Sequence, residues 1–99
     1  MARRRSRIDF SGDVDRFRFR VRAGRTYTVG VVGRSLRDPT LTVFSPSGFR
    51  YFSDDAVGLN PLVRFTADRR GFATADVRGF GFNTGSYTLV TPSRARFVS

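Results

Sequence analysis

Strict alternation of arginine and apolar residues in segment 16–22 constrains the fold more than any other part of the sequence. Phe17, Phe19 and Val21 take every second position, and arginine takes the positions around them. Successive side chains of a strand point to opposite faces, so the segment predicts a β-strand with one face in a core and the other in water. No stretch of a dozen residues shows the three- and four-residue spacing of an amphipathic helix. The chain is therefore predicted to be all-β.

Turn signals divide the rest of the chain into short segments of similar pattern. Because Ala23-Gly24 is a turn signal, we expect 16–22 and 25–32 to form a β-hairpin. Further strands are expected at 7–10, 40–44, 49–53, 62–67, 72–78 and 86–91. About eight short strands separated by turns are typical of an antiparallel β-sandwich or jelly roll. The predicted organisation is a basic arm at 1–7, one sandwich domain at 8–91 and a basic tail at 92–99, with both ends frayed.

Only two residue types carry charge, since the 18 cations are all arginine and the 8 anions are all aspartate, for a net charge of +10. Histidine, cysteine and lysine are absent, which excludes thiol nucleophiles, zinc-finger sites and the usual bases that activate a serine. The clustered aspartates Asp13, Asp15, Asp54 and Asp55 lie in turn-like segments, without the apolar surroundings that a catalytic carboxylic acid needs. We expect the protein not to be an enzyme.

The apolar runs of the chain are short. None approaches the roughly 18 residues that span a bilayer, and no apolar segment of the kind found in signal peptides follows the arginine-rich start. The sequence predicts neither a transmembrane segment nor an export signal in this chain.

Six short segments combine turn signals with strand residues in a fixed order. They are 12–17 (GDVDRF), 23–29 (AGRTYTV), 38–48 (DPTLTVF, then PSG), 53–60 (SDD, then GLN), 65–71 (FTA, then Gly71) and 84–89 (TGSYTL). In this order and spacing they resemble the bacterial pre-peptidase C-terminal domain, a small β-sandwich appended to secreted proteases and other exported proteins. The resemblance covers roughly residues 8–90. The chain departs from the pattern in the arginines of its outer faces and in Ala73-Thr74, where an aromatic pair is common.

The resemblance implies a function as well as a fold. Domains of this family are non-catalytic modules that help a parent enzyme hold its substrate or are trimmed during maturation, and some relatives bind calcium. The expected partner is thus a parent or partner exported protein, and the expected location is extracellular or in the cell envelope.

Carboxylates cluster at two places, Asp13-x-Asp15 and Asp54-Asp55. Calcium takes six to eight oxygen ligands, which these aspartates, Asn60 and backbone carbonyls could supply. Calcium is therefore the candidate cofactor, provided that the fold brings the two loops together. The alternative is that the aspartates cap turns through hydrogen bonds to backbone N–H groups.

Arginines on the outer face of the first alternating strand are the candidate binding residues for an acidic polymer. Alternate strand residues lie about 6.6 Å apart, and guanidinium groups bind phosphate, sulfate or carboxylate in bidentate fashion. The candidates are Arg16, Arg18, Arg20 and Arg22, with Arg3, Arg4 and Arg5 as an additional flexible arm. Nucleic acid and acidic polysaccharide are the expected ligands. The alternative is a solvated strand face without a ligand.

The two-residue alternation does not assign five aromatic residues to the core. Phe49, Tyr51 and Phe52 cannot all face inward, and Phe80 and Phe82 lie in a glycine-rich loop. An exposed ring among them could form a platform for a protein, a sugar or a base. The alternative is that these rings close the open ends of the sandwich.

Taken together, these features predict a non-catalytic binding or stabilising module of an exported protein, with calcium as candidate cofactor and a basic face that attracts polyanions. Two alternatives stay open. One is a nucleic-acid-associated structural protein with an arginine-rich arm on a β jelly roll. The other is a designed variant of the family scaffold with no evolved function.

Overall fold

The computed structural model describes residues 2–54, 58, 60–91, 96 and 97. These residues form strands and turns and no helix, and so include no helix that could cross a membrane. The strands are β1 (Ala2–Ile8), β2 (Asp15–Val21), β3 (Thr26–Gly33), β4 (Pro39–Phe44), β5 (Arg50–Ser53), β6 (Leu62–Thr66), β7 (Gly71–Gly79), β8 (Gly85–Thr91) and β9 (Arg96–Phe97).

Two antiparallel sheets enclose the core. One has the strand order β1-β8-β3-β6 and the other β5-β4-β7-β2-β9. Eight strands in this order make a jelly roll, to which the two-residue β9 is added at an edge. The predicted all-β sandwich of about eight strands is confirmed.

The predicted hairpin between 16–22 and 25–32 is wrong. β2 pairs with β7 and β9, whereas β3 pairs with β6 and β8, so the turn at Ala23-Gly24 carries the chain from one sheet to the other. After the turn, the Gly24 N–H donates to the Ala67 carbonyl at 2.9 Å and the Ala67 N–H donates to the Arg25 carbonyl at 2.9 Å. A hairpin and a crossing would bury the same alternate residues, so alternation could not distinguish them.

The predicted basic arm at 1–7 is corrected as well, because residues 2–8 form β1. This strand pairs with β8 along its whole length, from Ala2 opposite Thr91 to Ile8 opposite Gly85. Ile8 is fully buried and anchors the strand in the core. Arginines at four of the other six positions suit an edge strand, since charge discourages pairing with further chains. Within the predicted tail, Arg96–Phe97 pairs with β2, and 92–95, 98 and 99 lie outside the described residues.

Aromatic rings fill the middle of the core. The Phe65 ring centroid lies 6.4 Å from that of Phe19 on the facing sheet, 5.9 Å from Tyr27 and 5.5 Å from Tyr51. Such pairs contribute about 0.5–1.5 kcal/mol each beyond the area they bury. Next to the large β2 rings, β7 places fully buried alanines, as the alternation predicts. Large and small residues lie side by side in the space between the sheets.

Leu36 closes one end of the sandwich. It lies in the β3–β4 loop, is fully buried, and its N–H donates to the Ser86 carbonyl at 3.1 Å. Gly33 and Gly85 lie against the backbone of this loop, so closely that a methyl group at either position would collide with it. The end is therefore closed by an aliphatic side chain and tight glycine packing.

Candidate functional site

One outer surface of the sandwich combines arginine, threonine and aromatic residues. We call it the basic face. It belongs to the sheet β5-β4-β7-β2, and its members are Arg16, Arg18 and Arg20 of β2, Phe72, Thr74, Asp76 and Arg78 of β7, Thr40, Thr42 and Phe44 of β4, and Arg50 and Phe52 of β5. These described strands thus present five arginines and one aspartate outward, while the alternate residues face the core.

Arg16 is committed to an ion pair. Its Nε donates to Asp76 Oδ1 at 2.9 Å and its Nη2 donates to Asp76 Oδ2 at 3.0 Å. The carboxylate is buried, with 4% of the side chain exposed, whereas 64% of the arginine side chain is exposed. The hydrogen bond and the charge of Asp76 raise the pKa of Arg16 above its ordinary value. Arg16, the first member of the predicted arginine stripe, therefore neutralises a buried carboxylate, and its guanidinium group is not free to bind a ligand.

Arg18 and Arg20 are held against an aromatic ring instead. Their guanidinium carbons lie 5.2 and 5.3 Å from the Phe72 ring centroid, within the range of cation–π attraction. No carboxylate among the described residues forms an ion pair with either of them. Arg22 follows the end of β2, and its N–H donates to the Tyr27 hydroxyl at 2.8 Å. The central part of the stripe is thus ordered and carries uncompensated charge.

The arginines at the N-terminus lie elsewhere. Because they belong to β1, they alternate between its two faces. Arg3 and Arg5 lie opposite Val90 and Thr88 on the outer face of the other sheet, whereas the Arg4 guanidinium lies 5.4 Å from the ring centroid of Phe17. The predicted polyanion set is therefore divided between the two outer faces of the sandwich.

Asp13 and Asp15 make hydrogen bonds within the chain. Asp13 Oδ2 accepts from the Asp9 N–H at 2.9 Å and so caps the β1–β2 turn. Asp15 Oδ2 accepts from the Ser6 hydroxyl at 3.0 Å and from the Tyr87 hydroxyl at 2.5 Å. Burial, and then the hydrogen bond to Asp15, raise the pKa of Tyr87 well above its ordinary value. The alternative interpretation of turn capping fits Asp13, and Asp15 joins strands of both sheets.

The described members of the predicted calcium set do not fit one site. Asp15, Val77, Leu41 and Ser53 form a single row across the sheet, so three strand spacings, about 14 Å, separate Asp15 from the residue before Asp54.

The remaining predicted calcium ligands do not converge on a shared position either. The Asn60 side-chain oxygen accepts from the Gly33 N–H at 3.0 Å, and the described residues contain no group of three acidic side chains that could hold a metal. Asp55 lies outside the described residues.

Of the five aromatic candidates, one ring packs inward and four are exposed. Tyr51 packs against the core, whereas Phe49 and Phe52 are exposed. Phe80 and Phe82 are 60% and 89% exposed, so they do not plug the end that Leu36 closes. Phe10 and Phe72 are also exposed, although neither was among the candidates. For Phe72 the available signal was its place in the alternating segment 72–78, where it falls on the outward positions.

A shallow concavity of about 440 Å³ lies within the basic face. Its lining is Thr40, Thr42, Phe44, Arg50, Phe52, Asp76 and Arg78. Only the antiparallel pairing of β5, β4 and β7 brings these residues together. Of these residues, only Phe52 is a candidate proposed from the sequence. The residues come from three separate strands, so no local pattern groups them.

Comparison with solved structures supports the same fold. The chain is similar to the pre-peptidase C-terminal domain of collagenase from Bacillus anthracis, with a TM-score of 0.75 and 18% identity over 92% of this chain and 88% of that one. It is also similar to a periplasmic inhibitor of g-type lysozyme from Aeromonas hydrophila, with a TM-score of 0.65 and 17% identity over 92% and 85% of the two chains.

These likenesses define the class of fold. No protein-family model and no curated protein matches the chain. The protein has the jelly-roll β-sandwich fold of the pre-peptidase C-terminal domain, as the resemblance in sequence predicts.

Proposed function

We propose that the protein is a non-catalytic binding module of an exported protein and that its basic face binds an acidic polymer. The observation that carries the proposal is the arrangement of Arg18 and Arg20 around Phe72, on a face with five arginines and one aspartate. Because the ring holds the two guanidinium groups in place, less side-chain entropy is lost when they bind an anion.

The residue types present support a binding role over catalysis. The sequence has no histidine, cysteine or lysine, the residues that usually activate a serine or serve as nucleophiles. The two fold neighbours are a domain of a collagenase and an inhibitor of lysozyme, the second of them periplasmic. Their names support a binding module and an exported location for this chain.

Charge alone predicts how this binding depends on salt. An acidic polymer releases condensed counterions when arginines neutralise its anionic groups, so affinity falls steeply as the salt concentration rises. Each lost contact lowers the slope of log affinity against log salt by about one. The slope therefore counts the arginines that take part.

The experiment compares two double variants with the same change in charge. Arg18→Ser with Arg20→Ser removes two exposed arginines from the basic face, and Arg3→Ser with Arg5→Ser removes two exposed arginines from the opposite face. Binding to polygalacturonate, heparin and single-stranded DNA is measured by calorimetry between 50 and 300 mM NaCl. We expect the first variant to bind about tenfold more weakly at low salt, about 1.4 kcal/mol, with a slope lower by about two.

Equal losses in the two variants would contradict the assignment to the basic face, because overall charge would then explain the binding. Loss in the first variant with single-stranded DNA only would favour the alternative of a nucleic-acid-associated structural protein. Thermal unfolding of both variants checks that each one is folded.

A further inference from the structure

We infer that the concavity in the basic face is a subsite for one anionic sugar unit of an acidic polysaccharide. The inference rests on the proposed function and specifies its ligand. The volume of about 440 Å³ lies within the range of small-molecule sites in proteins. The chemical class follows from which groups line the floor, the wall and the two ends.

The wall of the concavity is aromatic. Phe52 lies on β5 opposite Thr42, and 55% of its surface is exposed. Phe44, on the neighbouring strand β4, is half-buried at the edge of the same concavity. A sugar ring has an apolar C–H face that packs on an exposed aromatic ring and releases water from both surfaces. The Phe52 ring can therefore stack on the flat face of one sugar unit.

The floor of the concavity is polar and contains a carboxylate. Thr42 lies opposite Asp76 in the register of β4 and β7, and both line the concavity. Asp76 is already paired with Arg16, and a carboxylate oxygen can accept more than one hydrogen bond. Sugar hydroxyls donate to such a group, whereas a phosphodiester has no hydrogen-bond donor to offer it. The floor therefore favours a sugar over a nucleic-acid backbone.

Cations stand at the two ends of the concavity. Arg50 lies opposite Phe44 and Arg78 lies opposite Thr40. These two β4 positions are four residues apart, which places the arginines about 13 Å from each other along the strand direction. Neither arginine forms an ion pair with a carboxylate within the described part of the chain. The two ends can thus hold a carboxylate or sulfate, and its neighbour along a polymer.

Substitution of the exposed ring tests the subsite. Phe52→Ala is compared with Phe82→Ala, which removes a still more exposed ring from a loop outside the basic face. The probes are a galacturonate hexamer, a heparin hexasaccharide, a neutral maltohexaose and a dT12 oligonucleotide. We expect Phe52→Ala to weaken binding of an anionic sugar about five- to tenfold, with an unchanged salt slope because stacking is not ionic. Loss with galacturonate identifies a carboxylate, and loss with heparin but not with galacturonate identifies a sulfate. We expect Phe82→Ala to leave the binding of every probe unchanged. We expect Phe52→Ala to cause no such loss with the neutral maltohexaose.

A second pair of variants tests the subsite through charge. Arg50→Ala removes a cation at one end of the concavity, and Arg64→Ala removes an exposed strand arginine from the opposite face. Amide chemical shifts with the galacturonate hexamer are expected to change at Thr40, Thr42 and Asp76 in the unaltered protein. We expect Arg50→Ala to weaken binding of this hexamer at least threefold more than Arg64→Ala.

The outcomes separate this inference from the proposed function. If Phe52→Ala and Arg50→Ala leave sugar binding unchanged while the Arg18 and Arg20 variant weakens it, the subsite is refuted and the basic face stands. If no variant of the face changes binding, both fail. If Phe52→Ala weakens dT12 binding only, the ring stacks on a base and the sugar subsite is overturned.

Discussion

Asp15 shows how a single residue can take a role that its sequence context does not reveal. It belongs to β2, yet it accepts hydrogen bonds from Ser6 of β1 and Tyr87 of β8, both of the other sheet. Hydrogen bonds to a charged group are worth about 1.5–3 kcal/mol each. Asp15 therefore joins the two sheets at their common edge, where the sequence predicted a calcium ligand.

Substitution of Tyr87 tests this contact through its dependence on pH. The raised pKa of Tyr87 means that the folded protein holds the phenol proton more tightly than the unfolded chain does. Its stabilising contribution is complete below the unfolded pKa of about 10 and is lost as the pH rises above that value. We expect Tyr87→Phe to lower the free energy of unfolding by about 1.5–3 kcal/mol at pH 7.

The same variant is expected to lose less stability than the unaltered protein between pH 10 and 11.5. Urea unfolding at pH 7, 9, 10.5 and 11.5 measures both effects. Parallel decreases in the two proteins above pH 10 would show that Tyr87 is not the group responsible.

Among the strands, inner positions pack the core and outer positions carry the residues of the basic face. Inner positions of β2 and β7 are filled so that large rings lie beside alanines. The outer positions of the same strands carry the charged and aromatic residues of the basic face. The loops differ in the same way, since the β3–β4 loop sends Leu36 into the core, whereas the β7–β8 loop leaves Phe80 and Phe82 outside.

Truncation of one residue in each loop tests which of them closes the sandwich. Leu36→Ala leaves a cavity under tightly packed glycines that cannot move inward, so we expect it to cost about 3 kcal/mol of unfolding free energy. Phe82→Ala removes a larger but exposed side chain and is expected to change that free energy by less than about 0.5 kcal/mol. Chemical denaturation of both variants gives the comparison. A larger cost for Phe82→Ala would assign the plug to the glycine-rich loop instead.

For the whole molecule, positive charge lies on both outer faces of the sandwich. The net charge is +10, and within the described ion pairs only Arg7 and Arg16 have aspartate partners. Uncompensated like charges repel one another more strongly in the compact state than in an extended chain. The arginine excess therefore destabilises the free protein, and bound anions relieve the repulsion.

Salt dependence of thermal unfolding measures this repulsion. We expect the Tm to rise as NaCl increases from 20 to 300 mM, because the Debye length falls from about 20 Å to below 10 Å over this range. The variant with Arg18→Ser and Arg20→Ser carries less charge and should gain less. A Tm that falls with salt in the unaltered protein would indicate that attractive pairs dominate its electrostatics.

The candidate site could be predicted in part from the sequence. Alternation placed Arg18 and Arg20 on an outer strand face, and the structure agrees. Their neighbour Phe72 is more than fifty residues further along the chain, and Arg50 and Arg78 come from two other strands. A local pattern contains no information about which strands lie side by side, so the concavity could not be derived from it.

By itself, the sequence determined the strands from β2 to β8 and which of their residues face the core, because a two-residue period follows from backbone geometry. Phe17, Phe19 and Val21 are buried as that period requires. Only the tertiary structure decided the partner of each strand, the crossing at Ala23-Gly24 and the place of β1 in a sheet. Strand pairing is a long-range choice between arrangements that satisfy the same alternation, and the competition among all pairings in the folded molecule decides it.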